Sequence, residues 1–112
     1  MMPRDTNAHG TIFGGVLLSY IDQAGALEAR KLPPHRFVTI AMDKVEFKQP
    51  VYVGDALSFY ANVERVGRTS VTVRVTVEAE RGSNPQETIR VTEATVVYVA
   101  VDEHQHKTNI TQ

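Results

Sequence analysis

Gly14, Gly15 and Asp22 are the residues whose types and spacing could do chemistry together. A polar turn carrying Asn7 and His9 runs into the glycine pair, and a helix is predicted to open there, with the carboxylate of Asp22 about two turns in. The first amides of a helix have no partner inside it and lie at the positive end of its dipole, so they can hold a developing negative charge. With no side chain at positions 14 and 15, a ligand oxygen can approach those amides closely. The amide of Gly15, and next that of Val16, are the expected donors. Asp22 has Leu18, Ser19, Gly25 and Ala26 one turn away, a mostly apolar strip from which a carboxylate can take a proton as a general base.

Other residues suggest less. His9 stands alone in a turn and is expected to be structural. Asn7 fits an Asx turn ahead of the helix as well as it fits a hydrogen bond to a reacting group. His35, His104 and His106 lack ligand spacing, so no metal is expected. The absence of cysteine removes disulfides, thiolate metal sites and a thiol nucleophile together. No Gly-x-Ser-x-Gly elbow occurs, which gives a serine hydrolase no support.

The elements that must position these residues are few. Residues 13–31 read as one helix, with Val16/Leu17, Tyr20/Ile21, Ala24 and Leu27 on a stripe and Pro33-Pro34 ending it. Gly25, inside that helix, costs about 1 kcal/mol relative to alanine, so close packing against another element is expected there. The rest reads as strand: 37–42, 44–48, 56–66, 70–80 and 87–101, separated by turns, with the tail from about 103 expected to fray. An α+β fold follows, a curved antiparallel sheet of about five strands wrapped around one long helix, as a single domain over residues 1–112. Open sheet edges of that length favour a two-fold homodimer.

Twelve basic and thirteen acidic residues leave a net charge of −1, so no broad cationic surface for nucleic acid is implied. No apolar run approaches the roughly 20 residues of a membrane span, and Met-Met-Pro-Arg-Asp lacks an apolar signal region, so a cytoplasmic location is expected.

The run from Asp5 to Gly15, with Ile21-Asp22-Gln-Ala-Gly25, resembles the hotdog-fold acyl-CoA thioester hydrolases of the YciA-like and cytosolic long-chain acyl-CoA hydrolase group. The likeness continues through Phe37-Val-Thr-Ile40, Phe47-Lys-Gln-Pro-Val51, Val53-Gly-Asp55, Gly67-Arg-Thr-Ser70 and Thr92-Glu-Ala94. It spans roughly residues 3–102. The resemblance implies hydrolysis of acyl-CoA to coenzyme A and a carboxylic acid, with no metal and no cofactor apart from the coenzyme A of the substrate itself. It implies sites shared across a homodimer, commonly assembled as a trimer of dimers. Asp22 becomes the catalytic carboxylate, Asn7 its partner from the facing subunit, and Thr39 a third polar group. Two departures stand out: relatives usually carry an extra strand's worth of residues before the motif, and some carry a large aromatic where this chain has Val16.

For such a thioester the amides of Gly15 and Val16 are the expected oxyanion donors and Gly14 lines the substrate site, while Asp22 activates water, or attacks directly to give an anhydride. Arg68, Thr69 and Ser70 suit the phosphates or pantetheine arm of coenzyme A, although the same turn serves as a plain hairpin. Arg65 and Arg90 are expected to add positive charge for the nucleotide end. Chain-length preference should depend on Tyr20, Met42, Phe47, Phe59 and the partner subunit. The alternatives are a non-catalytic acyl-CoA-binding or sensing module, and a hotdog dehydratase. The dehydratase expects a histidine in the helix segment, and residues 13–31 have none.

Overall fold

The computed structural model describes residues 14–52, 54–80 and 88–110. Helix α1 (Gly14–Ala29) is followed by β1 (Phe37–Phe47), β2 (Ala56–Val66), β3 (Ser70–Glu80) and β4 (Thr88–Ala100). The strands form one antiparallel sheet in the order β1-β4-β3-β2, with α1 packed on one face. Among the described residues no helix is long and apolar enough to cross a membrane.

Alternation along β3 sets the two faces. Val71, Val73, Val75, Val77 and Ala79 are buried beneath the helix, while Thr72, Arg74, Thr76 and Glu78 lie on the opposite, outer face. The helix answers with Leu17, Ile21, Gly25 and Ala29, a strict four-residue row. Tyr20 and Leu27, expected on the buried stripe, stay 38% and 66% exposed.

The described sheet has four strands where five are expected, because 37–42 and 44–48 are one strand. Asp43 pairs with Thr95 and Glu46 with Glu93, so Lys44 and Val45 oppose one residue of β4. That is a β-bulge, with Lys44 at a φ of 50° and its amide bonded to the Asp43 carboxylate at 2.8 Å. A second irregularity at Ile40 lets Thr39, opposite Tyr98, and Met42, opposite Val96, both face the helix.

The chain past Ala100 is held in place where fraying is expected. Asp102 accepts the amides of His104 and His106 at 2.8 and 2.9 Å, Thr108 returns its amide to Ala100, and Ile110 donates to the carbonyl of Arg68 at 2.8 Å. The segment therefore braces the β2–β3 turn.

One core hydroxyl is unsatisfied: Thr92 Oγ1, fully buried, has no hydrogen-bond partner among the described residues. Thr92→Val, which keeps the shape and removes the orphan, should stabilise by about 1 kcal/mol and raise Tm by about 4 °C in a thermal melt. A lower Tm would mean the hydroxyl has a partner.

Candidate active site

Asp22 leaves α1 on the side facing β1 and β4. Thr39 Oγ1, on β1, donates to Asp22 Oδ1 at 2.8 Å. The Tyr98 hydroxyl, from β4, donates to the Asp22 backbone carbonyl at 2.8 Å and lies 3.2 Å from Oδ1. Both side-chain bonds fall on one carboxylate oxygen, and among the described residues Oδ2 accepts none. Burial first, and the adjacent Asp22 charge second, push the Tyr98 phenol well above the usual range, so it stays a donor. Beside the carboxylate opens a cavity of about 280 Å³, with Ala26, Leu27 and Phe37 as its apolar lining and Gln23, Arg30 and Thr39 as polar groups around Asp22. A carboxylate held by one oxygen next to such a space can act as base or nucleophile through the other.

Gly14, Gly15 and Val16 form the first turn of α1, as the glycine pair predicts, and a Cβ at Gly15 would meet nothing within 4 Å. Asp22 lies seven positions after Gly15, a rise of roughly 10 Å along the helix backbone. Asn7 and His9 lie outside the described residues.

The register places Ser70 opposite Val99 and Thr39 opposite Tyr98, so Arg68, Thr69 and Ser70 share the Asp22 end of the sheet, about 10 Å across two strand spacings. Arg65 and Arg90 do not join them. Arg65 pairs with Thr72 and Arg90 with Glu78, both on the outer face, and Arg90 is bonded to Glu93 at 3.1 Å. Tyr20 and Phe59, with ring centroids 6.2 Å apart, line a different cavity with Asp55 and Leu57. Neither they nor Met42 and Phe47 border the Asp22 cavity.

Sequence reasoning passed over Tyr98, Gln23, Arg30 and Phe37. Tyr98 reads as one more core position of an apolar strand. Its only signal is Gly25, a helix-interior glycine one turn from Asp22 that calls for a close neighbour. Among the described residues no His, Cys, Asp or Glu cluster could hold a metal.

A family model of the thioesterase superfamily matches residues 9–85. The acyl-CoA thioester hydrolase YciA of Escherichia coli is 42% identical over 103 residues, covering 90% of this chain and 78% of that protein. A hexameric hotdog fold thioesterase of Campylobacter jejuni is 51% identical with a TM-score of 0.90, covering 98% of this chain and 84% of the other. An acyl-CoA hydrolase from Staphylococcus aureus, solved with butyryl coenzyme A, coenzyme A and coenzyme A disulfide, is 31% identical with a TM-score of 0.90. Its alignment covers 98% of this chain and 66% of that one.

Proposed function

The chain belongs to the thioesterase superfamily, and on that premise we propose that it hydrolyses acyl-CoA thioesters to coenzyme A and a carboxylic acid, with Asp22 as the reacting carboxylate. The observation that carries this reading is the fixed Oδ1 of Asp22, held by Thr39 and Tyr98 at the edge of a cavity. Oδ2 takes the proton of a water that adds to the thioester carbonyl. The amides of Gly15 and Val16 receive the oxyanion, donors worth about 3 kcal/mol each in acyl transfer. Collapse of the tetrahedral intermediate expels the coenzyme A thiolate, and hydrolysis consumes only water.

The roughly 10 Å between Gly15 and Asp22 favours a site built by two chains, the helix start of one subunit serving the carboxylate of its partner. Asn7 then comes from the same side as the glycines, bonded to the water or to Asp22. Hexameric relatives are compatible with a trimer of such dimers. Arg68, Thr69 and Ser70 remain the candidates for the phosphate or pantetheine end. Within one chain Arg65 and Arg90 face the other side of the sheet and Arg90 is paired with Glu93, so they would serve the nucleotide end only of a substrate held by another subunit.

The test is release of thiol from acyl-CoAs of increasing chain length. Saturable binding without turnover would make the chain a binding module instead. Subunit mixing tests the shared site. Asn7→Ala and Asp22→Ala proteins, each inactive, should recover about a quarter of wild-type activity after exchange, because half the random dimers are mixed and each carries one intact site of two. No recovery would place both groups in one chain.

A further inference from the structure

We propose that Tyr98 is a positioning residue for the Asp22 carboxylate, its buried hydroxyl locking Oδ1 so that Oδ2 is the oxygen left to react. The inference rests on the reading of Asp22 as the reacting group. Tyr98 is 0% exposed and lies on the central strand β4. A phenylalanine there would bury the same ring. The single hydroxyl proton is shared between two acceptors on one residue, the backbone carbonyl of Asp22 at 2.8 Å and, more weakly, its Oδ1 at 3.2 Å. It therefore ties the carboxylate to the helix backbone and to the sheet at once. The Thr39 bond to the same oxygen comes from an exposed residue on the edge strand β1, where water can compete for it.

A second, independent feature shows that room for this hydroxyl is built into the helix. A Cβ at Gly25 would collide with the Tyr98 hydroxyl oxygen and lie 3.2 and 3.3 Å from two ring carbons. The helix accepts a glycine in its interior, one turn beyond Asp22, at the one place where the phenol needs clearance. The pair Gly25 and Tyr98 is thus a single device, and both halves act on the placement of Asp22.

The test combines Tyr98→Phe, Gly25→Ala and Asp22→Asn in steady-state thiol-release assays, with thermal melts to confirm folding. Tyr98→Phe should lower kcat about tenfold, the loss of one charge-assisted hydrogen bond, with KM unchanged. Gly25→Ala, which pushes the hydroxyl away, should reproduce the fall in kcat. In the Asp22→Asn background Tyr98→Phe should change the residual rate no further, since the hydroxyl acts only through that carboxylate. Wild-type kcat in folded Tyr98→Phe, with Asp22→Asn inactive, overturns the positioning role while leaving the Asp22 reading intact. Wild-type kcat in Asp22→Asn overturns the Asp22 reading itself. Equal losses from Tyr98→Phe with and without the Asp22 carboxylate would make the hydroxyl a packing element and also overturn the proposal.

Discussion

Asp22→Asn is expected to lower kcat for acyl-CoA hydrolysis by about a thousandfold, with KM and Tm close to wild type. The substitution keeps size and shape. Its amide oxygen can occupy the place of Oδ1 and still accept from Thr39 and Tyr98, which lie 2.8 and 3.2 Å from that atom. What changes is the other position, where an NH₂ group replaces Oδ2 and can neither take a proton nor attack. Stability should therefore survive while chemistry does not, and thiol release reads the difference directly. Undiminished turnover would remove Asp22 from the mechanism. A single turnover of the wild-type enzyme in ¹⁸O water identifies the nucleophilic role if label appears in Asp22. With Asp22 as general base, the first acid released carries ¹⁸O from the attacking water. With Asp22 as nucleophile and water opening the anhydride at the Asp22 carbonyl, the first acid takes an unlabelled carboxylate oxygen and the label enters Asp22; opening at the acyl carbonyl labels the acid as a general base does.

The parts of this site that can be read from sequence are those governed by local rules. A glycine pair before a helical run opens α1 at Gly14, and helical periodicity alone puts Asp22 two turns in. Strict alternation likewise identifies the helix-facing valines of β3. What escapes depends on the neighbouring strand. Asp43-Lys44 looks like a break between strands, and only pairing with β4 makes it a bulge. Arg90 and Glu93 stand three apart, which in a regular strand puts them on opposite faces. The register slip between Val77 and Glu78, opposite Val91, turns both outward and allows their 3.1 Å bond. Arg90 therefore looks free in the sequence and is paired in the fold. Gly25 announces that something packs closely, yet nothing local says it is the hydroxyl of Tyr98. The brace between Ile110 and Arg68 is equally non-local, joining a polar tail to a turn far back in the chain.

Glu93→Gln is expected to destabilise the folded protein by about 2 kcal/mol near neutral pH, lowering Tm by roughly 10 °C, and to do so without lowering kcat. Glu93 is only 7% exposed although it lies on the outer face of the sheet. It is covered by the three cations it binds: Arg74 at 3.0 Å and Arg90 at 3.1 Å on Oε1, and Lys48 at 3.1 Å on Oε2. The Arg74 hydrogen bond above all, then that of Lys48, holds its carboxyl below the usual carboxylate range against the opposing effect of burial. An amide there keeps one oxygen for Arg74 and Arg90 but turns its NH₂ on the Lys48 ammonium, and leaves two guanidinium groups and one ammonium without their shared anion. Those cations keep partial access to water, which limits the cost below that of a wholly buried charge. The sign of the pH dependence follows. The folded carboxyl titrates below its unfolded counterpart near pH 4.3, so its contribution is complete above that pH and disappears as pH falls through the folded value. Denaturant melts of wild type and Glu93→Gln should therefore differ fully at pH 6–7, and the gap should narrow steadily below about pH 4. A gap that is constant down to pH 3 would assign the loss to packing rather than to charge. The outer face is remote from Asp22 within the chain, so a large fall in kcat with unchanged stability would mean that Glu93 and its cations reach the active site of another subunit.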